Sequence, residues 1–413
     1  MEEGRTAGRT AFKYYGVALG TVSHATEEEH LFRGYSGRLL LVISLGWALM
    51  QAGRLTISPL LTAIAGDLQI SSGAAGFAIT VVWGTYAILQ YPSGRLSDRL
   101  SRTTLLVSGL VLAAAGFLVL SVAPTYVAFL FGAVVIGVGV GLYPTPARGL
   151  VSDLFVVKRG RAFGLHTSSG DIGGILAAGI GTVVLAVATW RAAFAPVAVL
   201  LLLVALLLHV WSDEGYELAS VDLAIGATFR RILGVSSLRW LLFSYSLYAF
   251  VWQAVTGFIP TYLRAKELSP AIANAGLAVL FVVGAVVKPP AGVLGDRVPR
   301  GLLSAGMLFV AAVSLVVLVL SSTSLVALVA VAVFSAGLLA YPPVMQAYLM
   351  DSFPSESMAG DFGAMRSVYI GIGSLGATYV GVVAQYVDYD TAFLGLVGCL
   401  VLSSVVIVLR GRE

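Results

Sequence analysis

Apolar stretches of membrane-crossing length recur along the chain, each bounded by a short polar cluster. They lie near 39–63, 74–94, 103–123, 126–154, 162–186 and 192–211, and after a polar interval near 238–263, 272–293, 302–320, 324–352, 362–386 and 391–410. A helix needs about 20 such residues to cross the hydrocarbon core of a bilayer. The pattern predicts an all-α membrane protein with twelve transmembrane helices. It divides into a tail at 1–38, a six-helix bundle at 39–211, a linker at 212–237 and a second six-helix bundle at 238–410. The linker is the long polar stretch of the interior and is expected to form an amphipathic helix on the membrane surface. The tail lacks the apolar core of a signal peptide, so the first span is expected to direct its own insertion.

Composition agrees. Of 413 residues 58% are hydrophobic and 11% charged, against roughly 25% charged in an ordinary soluble domain. A soluble globule, a disordered chain and a disulfide framework are excluded, the last because Cys399 is the single cysteine. The net charge of +4 does not point to nucleic acid, because the basic residues stand in small groups between apolar runs. With the amino terminus placed in the cytoplasm, nineteen of the 25 Lys and Arg, Arg366 among them, fall on the cytoplasmic side. Arg191, Arg264 and Lys266 fall outside, and Arg54, Arg148 and Lys288 within spans. This asymmetry predicts a multi-pass protein of the cell membrane with both termini cytoplasmic.

The two sets of six runs repeat each other. Pro92-Ser-Gly-Arg-Leu-Ser-Asp-Arg-Leu-Ser-Arg102 matches Pro290-Ala-Gly-Val-Leu-Gly-Asp-Arg-Val-Pro-Arg300 at a shift of 198 residues. The same shift carries Tyr143-Pro144 to Tyr341-Pro342, Asp153 to Asp351 and Phe155 to Phe353. An even-numbered unit keeps its orientation when duplicated, so the two bundles are expected to be related by a pseudo-two-fold axis along the membrane normal, with a solute path between them.

These landmarks resemble the major facilitator superfamily of secondary transporters, from about Arg38 to Arg410. Its G-x-x-x-D-R-x-x-R signature stands after the second span as Gly94, Asp98, Arg99 and Arg102, with Ser101 where a second glycine is common. The second half carries it as Gly292, Asp296, Arg297 and Arg300. Asp153-Leu-Phe followed by Arg159-Gly-Arg-Ala-Phe-Gly is similar to the family's loop between spans four and five, and Trp190-Arg-Ala-Ala-Phe to its loop before span six. The resemblance implies alternating access by rocking of the halves, with Asp98 helping to hold the outward-facing state and Asp296 as its counterpart. The alternative for both is that they anchor helix ends.

Charges inside a membrane are expensive, roughly 2.5–3.5 kcal/mol each on insertion scales, so each marks a candidate site. Arg54 lies near the middle of span one, which lines the central cavity in the resembled family. Its guanidinium suits a carboxylate or phosphate. The matching part of span seven reads Trp252-Gln253 and offers no cation, which favours a monoanion or zwitterion held by Arg54 with Trp252 and Gln253 opposite. Stacking of Arg54 on an aromatic ring is the alternative. Asp171 has two partners at similar depth, Arg148 in its own half and Lys288 in the other. Only the second pairing would couple to opening, as a proton site that alternates between a cation and an apolar setting. Tyr143 and Tyr341 are candidates to face the cavity or to pack.

The glycines of span five, with Asp171 where an antiporter motif places proline, read as close helix packing. So does Gly371-Ile-Gly-Ser-Leu-Gly, which no strand precedes. His166 is expected at the membrane interface. The histidines make no metal spacing and no nucleophile meets a base, so neither a metal, a cofactor nor an enzyme is called for. The expected partners are a small-molecule substrate, H+ and the lipid bilayer, with the protein a monomer. An efflux antiporter for amphipathic drugs remains an alternative within transporters, and a channel or a non-transporting membrane sensor outside them.

Overall fold

A computed structural model of the chain describes residues 30–97, 99–216, 225–351 and 358–410. Asp98 of the signature and Phe353 of the repeat lie outside the described residues. Among the described residues twelve helices are long and apolar enough to cross a membrane. Spans 1–6 are Gly34–Asp67, Ser72–Ser97, Arg102–Val122, Tyr126–Leu154, Arg159–Val187 and Trp190–Trp211. Spans 7–12 are Ser236–Ala265, Pro270–Gly295, Arg300–Leu320, Ser324–Leu349, Asp361–Tyr386 and Tyr389–Arg410. Each coincides with one predicted apolar run to within a few residues. Helix is the form lipid demands, because a spanning segment must satisfy its own backbone groups.

Local sequence sets where the helices start and break. Ser101 caps span 3, its hydroxyl accepting the Thr104 N–H at 3.2 Å, so the serine in the signature starts a helix where glycine would only turn the chain. Thr125 and Ser269 cap spans 4 and 8 in the same way. Span 4 is interrupted at Tyr143, because Pro144 has no N–H to continue the ladder and opens a second segment, Pro144–Leu154. The equivalent Pro342 and its neighbour Pro343 sit inside a continuous helix, Ser324–Asp351.

Spans 1–6 and 7–12 form two bundles, and spans 2 with 11, 5 with 8, and 1 with 7 join them. Toward the face opposite the linker the seam is tight. A side chain on Gly76 would run into the Ala377 carbonyl, and one on Gly381 into that of Ser72. Thr80 Oγ1 donates to Ser374 O at 2.6 Å, and Asn274 Nδ2 to Thr182 Oγ1 at 3.1 Å. At that same face Arg191 pairs with Asp67 at 2.8 Å, pinning span 6 to span 1. On the other face the described part of the linker forms a helix, Ile225–Gly234, and its Thr228 hydroxyl meets that of Tyr91 at 3.0 Å.

Candidate functional site

Span 5 carries Asp171 into the middle of the molecule on a helix thinned by glycine. Gly173 lies against the Ala48 carbonyl of span 1, and Gly174 lies under the Phe281 ring of span 8. That approach brings span 8 within reach. Lys288 Nζ donates to Asp171 Oδ1 at 2.6 Å, an ion pair between the two bundles in which the carboxylate is buried. Of the two partners open to Asp171, the structure therefore shows Lys288; Arg148 makes no ion pair with it.

Arg54 is 5% exposed and lies over the ring of Trp83, 3.8 Å from its centroid, with Tyr86 at 5.0 Å. Nη2 donates to Gln51 Oε1 at 2.5 Å, one helical turn away, whereas Nε and Nη1 are buried without a hydrogen-bond partner among the described residues. The space beside it, lined by Ser58, Ile79, Trp83 and Thr256, amounts to about 20 Å³, room for one water molecule. The guanidinium is thus held by aromatic faces, with two donors left over.

A second basic centre lies closer to the linker face. Arg148 lies on the second segment of span 4 and Arg366 on span 11. Arg366 Nη2 donates to Tyr86 Oη at 3.4 Å, and Arg366 Nε is buried without a partner. Both arginines are half-buried. His166 is buried two turns inside span 5, within 3.5 Å of Ser44 Oγ, and not at the interface. Tyr245, Tyr248, Tyr341 and Tyr369 pack edge and face beside this centre, with centroids 4.3 Å apart at the closest pair. Sequence reasoning placed Arg366 among the loop-side cations and passed over Tyr86. The signal available for Arg366 was its place inside the eleventh apolar run, at the same depth from the linker face as Arg148.

The remaining candidates are accounted for by packing. Gln253 is buried, donates to the Ile370 carbonyl at 3.0 Å and leaves Oε1 without a partner. Trp252 meets Phe281 edge-on at 5.8 Å. Tyr143 Oη donates to Ile43 O at 2.8 Å, whereas the Tyr341 hydroxyl lies 3.4 Å from Ser244 Oγ. In the signature loop Arg102 binds both the carbonyl and the hydroxyl of Ser97 and pairs with Asp153 at 3.3 Å, all within the first bundle. Arg99 is exposed, and Gly94 lies open, 3.8 Å from the nearest side chain. In the second loop Arg300 reaches Asp296 at 3.7 Å and the Gly295 carbonyl at 3.3 Å; Asp296 and Arg297 are exposed, and Gly292 has open space around it. A larger cavity of about 520 Å³ opens between spans 1, 5, 7 and 8 toward the face opposite the linker, lined by Pro59, Thr62, Thr182, Pro260, Arg264 and Asn274. Among the described residues no cluster of His, Cys, Asp and Glu could hold a metal ion.

Two six-helix bundles facing each other, with charged groups meeting at the seam, are the fold of a class of multi-pass membrane transporters. The chain belongs to the Major Facilitator Superfamily, whose sequence profile it matches at residues 43–378 and 241–413. It is 27% identical over 256 residues to the uncharacterized transporter YycB of Bacillus subtilis, a stretch that covers 60% of this chain and 62% of that protein. To the uncharacterized transporter YgaY of Escherichia coli it is 29% identical over 177 residues, 42% of this chain and 44% of the relative. The chain thus spans less than two thirds of the length of either relative. Among solved structures, a bacterial homolog of the human lysosomal transporter Spinster, inward-facing and occupied, superposes with a TM-score of 0.79 at 17% identity, covering 92% of this chain and 97% of that one. A D-xylose-proton symporter superposes with a TM-score of 0.72 at 17% identity, covering 91% and 97%. At those identities the likeness concerns the fold.

Proposed function

We propose that the chain is a secondary transporter that moves a small organic anion by rocking of its two bundles, with proton movement coupled at Asp171. The Asp171–Lys288 pair carries this reading. It is an ion pair with a buried carboxylate whose members belong to different bundles, so a rotation of one bundle against the other changes their separation. A carboxylate that loses its cation in an apolar setting takes a proton, and one that regains it releases the proton, so the pair ties protonation to conformation. The basic residues of the interior, Arg54, Arg148 and Arg366, favour an anion over a neutral or cationic drug. The gating loops hold Gly94, Arg99, Arg102, Gly292, Asp296, Arg297 and Arg300 on the face where the linker lies, which we assign to the cytoplasm together with both termini.

Proteoliposomes test the coupling. A panel of labelled carboxylates and phosphate esters is screened by counterflow, then by uptake under a pH gradient. Asp171→Asn should keep counterflow, which needs only alternating access, and lose about tenfold or more of gradient-driven uptake, the size of an ordinary coupling free energy. Gradient-driven uptake equal to that of the unaltered protein would remove Asp171 from the mechanism. Counterflow of amphipathic cations in place of anions would turn the assignment toward drug efflux.

A further inference from the structure

From the cavity between the ends of spans 5 and 8 on the face opposite the linker, apolar in its walls and edged by Arg264, we infer a binding site for an apolar monocarboxylate that holds this side of the seam shut. The site stands apart from the proton coupling: Thr182, which lines it, is eleven residues beyond Asp171 on the same helix, about 16 Å along its axis.

Spans 5 and 8 touch where Asn274 donates to Thr182, and both residues line the cavity. Leu185 and Ala186 from span 5 and Pro270 and Ala271 from span 8 line it as well. At about 520 Å³ it has the size of an ordinary small-molecule site and the make-up of one, mostly apolar with a few polar groups. Its charge is one-sided. Of the cations on this face, Arg191 pairs with Asp67 at 2.8 Å and Lys266 with Asp390 at 3.6 Å. Arg264 is exposed and pairs with no described carboxylate; its Nη1 donates to the Leu268 carbonyl at 3.0 Å, which leaves the rest of the fork for a ligand. Ser269 and Pro270 open span 8 beside it, so the positive end of a 26-residue helix adds to the field. Thr261 lines the cavity too, and its hydroxyl has no hydrogen-bond partner among the described residues. No described acidic residue lines the cavity. One guanidinium at the edge of an apolar cleft suits one carboxylate carried on an apolar body, and its planar fork matches the two oxygens. A cationic amphipath is repelled there, and a neutral one leaves the charge unused.

Both bundles supply the lining, Pro59 and Leu185 from the first and Pro260 and Ala271 from the second. The rocking proposed above separates them when this face opens, so a ligand in contact with both binds one arrangement and not the other. Such a ligand shifts the equilibrium by the difference in its affinities. An occupied cavity therefore keeps this face closed, and the monocarboxylate acts as an inhibitor of the cycle.

The full-length protein in detergent is titrated with naphthoate, against naphthalenecarboxamide, which keeps the body and loses the charge, and acetate, which keeps the charge and loses the body. Naphthoate should raise the melting temperature in a saturable way, and the other two should not. Arg264→Gln should weaken binding about tenfold or more, the loss of one charge-assisted contact. Ala271→Phe, at an exposed position, should fill the cavity and abolish binding with Arg264 still in place. The seam is read separately by Thr80→Cys with Thr378→Cys in a Cys399→Ala background, because those two hydroxyls lie 2.7 Å apart across spans 2 and 11, away from the cavity. Naphthoate should speed disulfide formation between them under a mild oxidant several-fold, and Arg264→Gln should remove the acceleration. Equal melting shifts from naphthoate and its amide, or naphthoate binding unchanged in both variants, would overturn the site. Binding without any change in cross-linking would overturn its hold on the seam. Neither measurement uses a gradient or Asp171, so failure of the coupling proposal leaves this one standing, and the reverse.

Discussion

The two halves of the chain can be compared residue by residue at a shift of 198, and they agree where the fold is made and differ where charge is placed inside the spans. Tyr143 and Tyr341 occupy the same position and both turn their hydroxyls toward the first helix of their own bundle, one onto the Ile43 carbonyl and one onto Ser244. Gly46 is the counterpart of Ser244. A side chain at Gly46 would meet the Tyr143 hydroxyl at 2.6 Å, so glycine there lets the tyrosine reach the backbone, and serine in the other half replaces that reach with a side-chain partner. The charged positions inside the spans show no such matching: Arg54 corresponds to Trp252, Arg148 to Gln346, Asp171 to Tyr369 and Lys288 to Gln90. Duplicated features hold helices together, and the charges inside the spans break the duplication.

Substitutions that erase one member of a pair sharpen that contrast. Lys288→Gln, which copies the first half's Gln90, leaves Asp171 buried and alone. It should cost about 3 kcal/mol of stability in a melting experiment, the usual consequence of orphaning one partner of a buried pair. Adding Asp171→Asn should restore most of that loss, and a double variant no more stable than Lys288→Gln would show that the pair is not the source. Gly46→Ala drives a methyl group against the Tyr143 hydroxyl and should cost about 1–3 kcal/mol as an overpacked contact, whereas Ser244→Ala should stay below it. Equal effects at the two positions would mean that the bundles pack alike there after all. Tyr143→Phe should cost about 1 kcal/mol for a short buried hydrogen bond, and Tyr341→Phe, whose contact is 3.4 Å long, distinctly less.

The twelve spans were legible because a lipid-facing helix must be apolar along its length; the boundaries differ by a few residues, most at span 1, which runs from Gly34 to Asp67 past both ends of the apolar run at 39–63. Depth alone also picked out Arg54, Arg148, Asp171 and Lys288. Partner choice was not legible: whether Asp171 meets Arg148 or Lys288 depends on how closely span 8 approaches span 5, which Gly174 and the Phe281 ring decide only once both helices are in place. Arg366 escaped for a related reason. A cation a few residues inside a span reads as an anchor at the interface unless its neighbour across the seam is known, and that neighbour, Tyr86, comes from a distant part of the chain.

Trp83 has an optical consequence. Its indole lies under the Arg54 guanidinium at 3.8 Å and meets Tyr86 edge-on at 5.7 Å, and the hydroxyl of that same tyrosine touches Arg366. A positive charge fixed above an indole face shifts its emission, so a rearrangement at the arginines that tilts Tyr86 changes the light Trp83 gives back. The protein carries six tryptophans, and a variant keeping this one alone would signal occupancy of its interior by colour, without a label and without a substrate crossing the membrane.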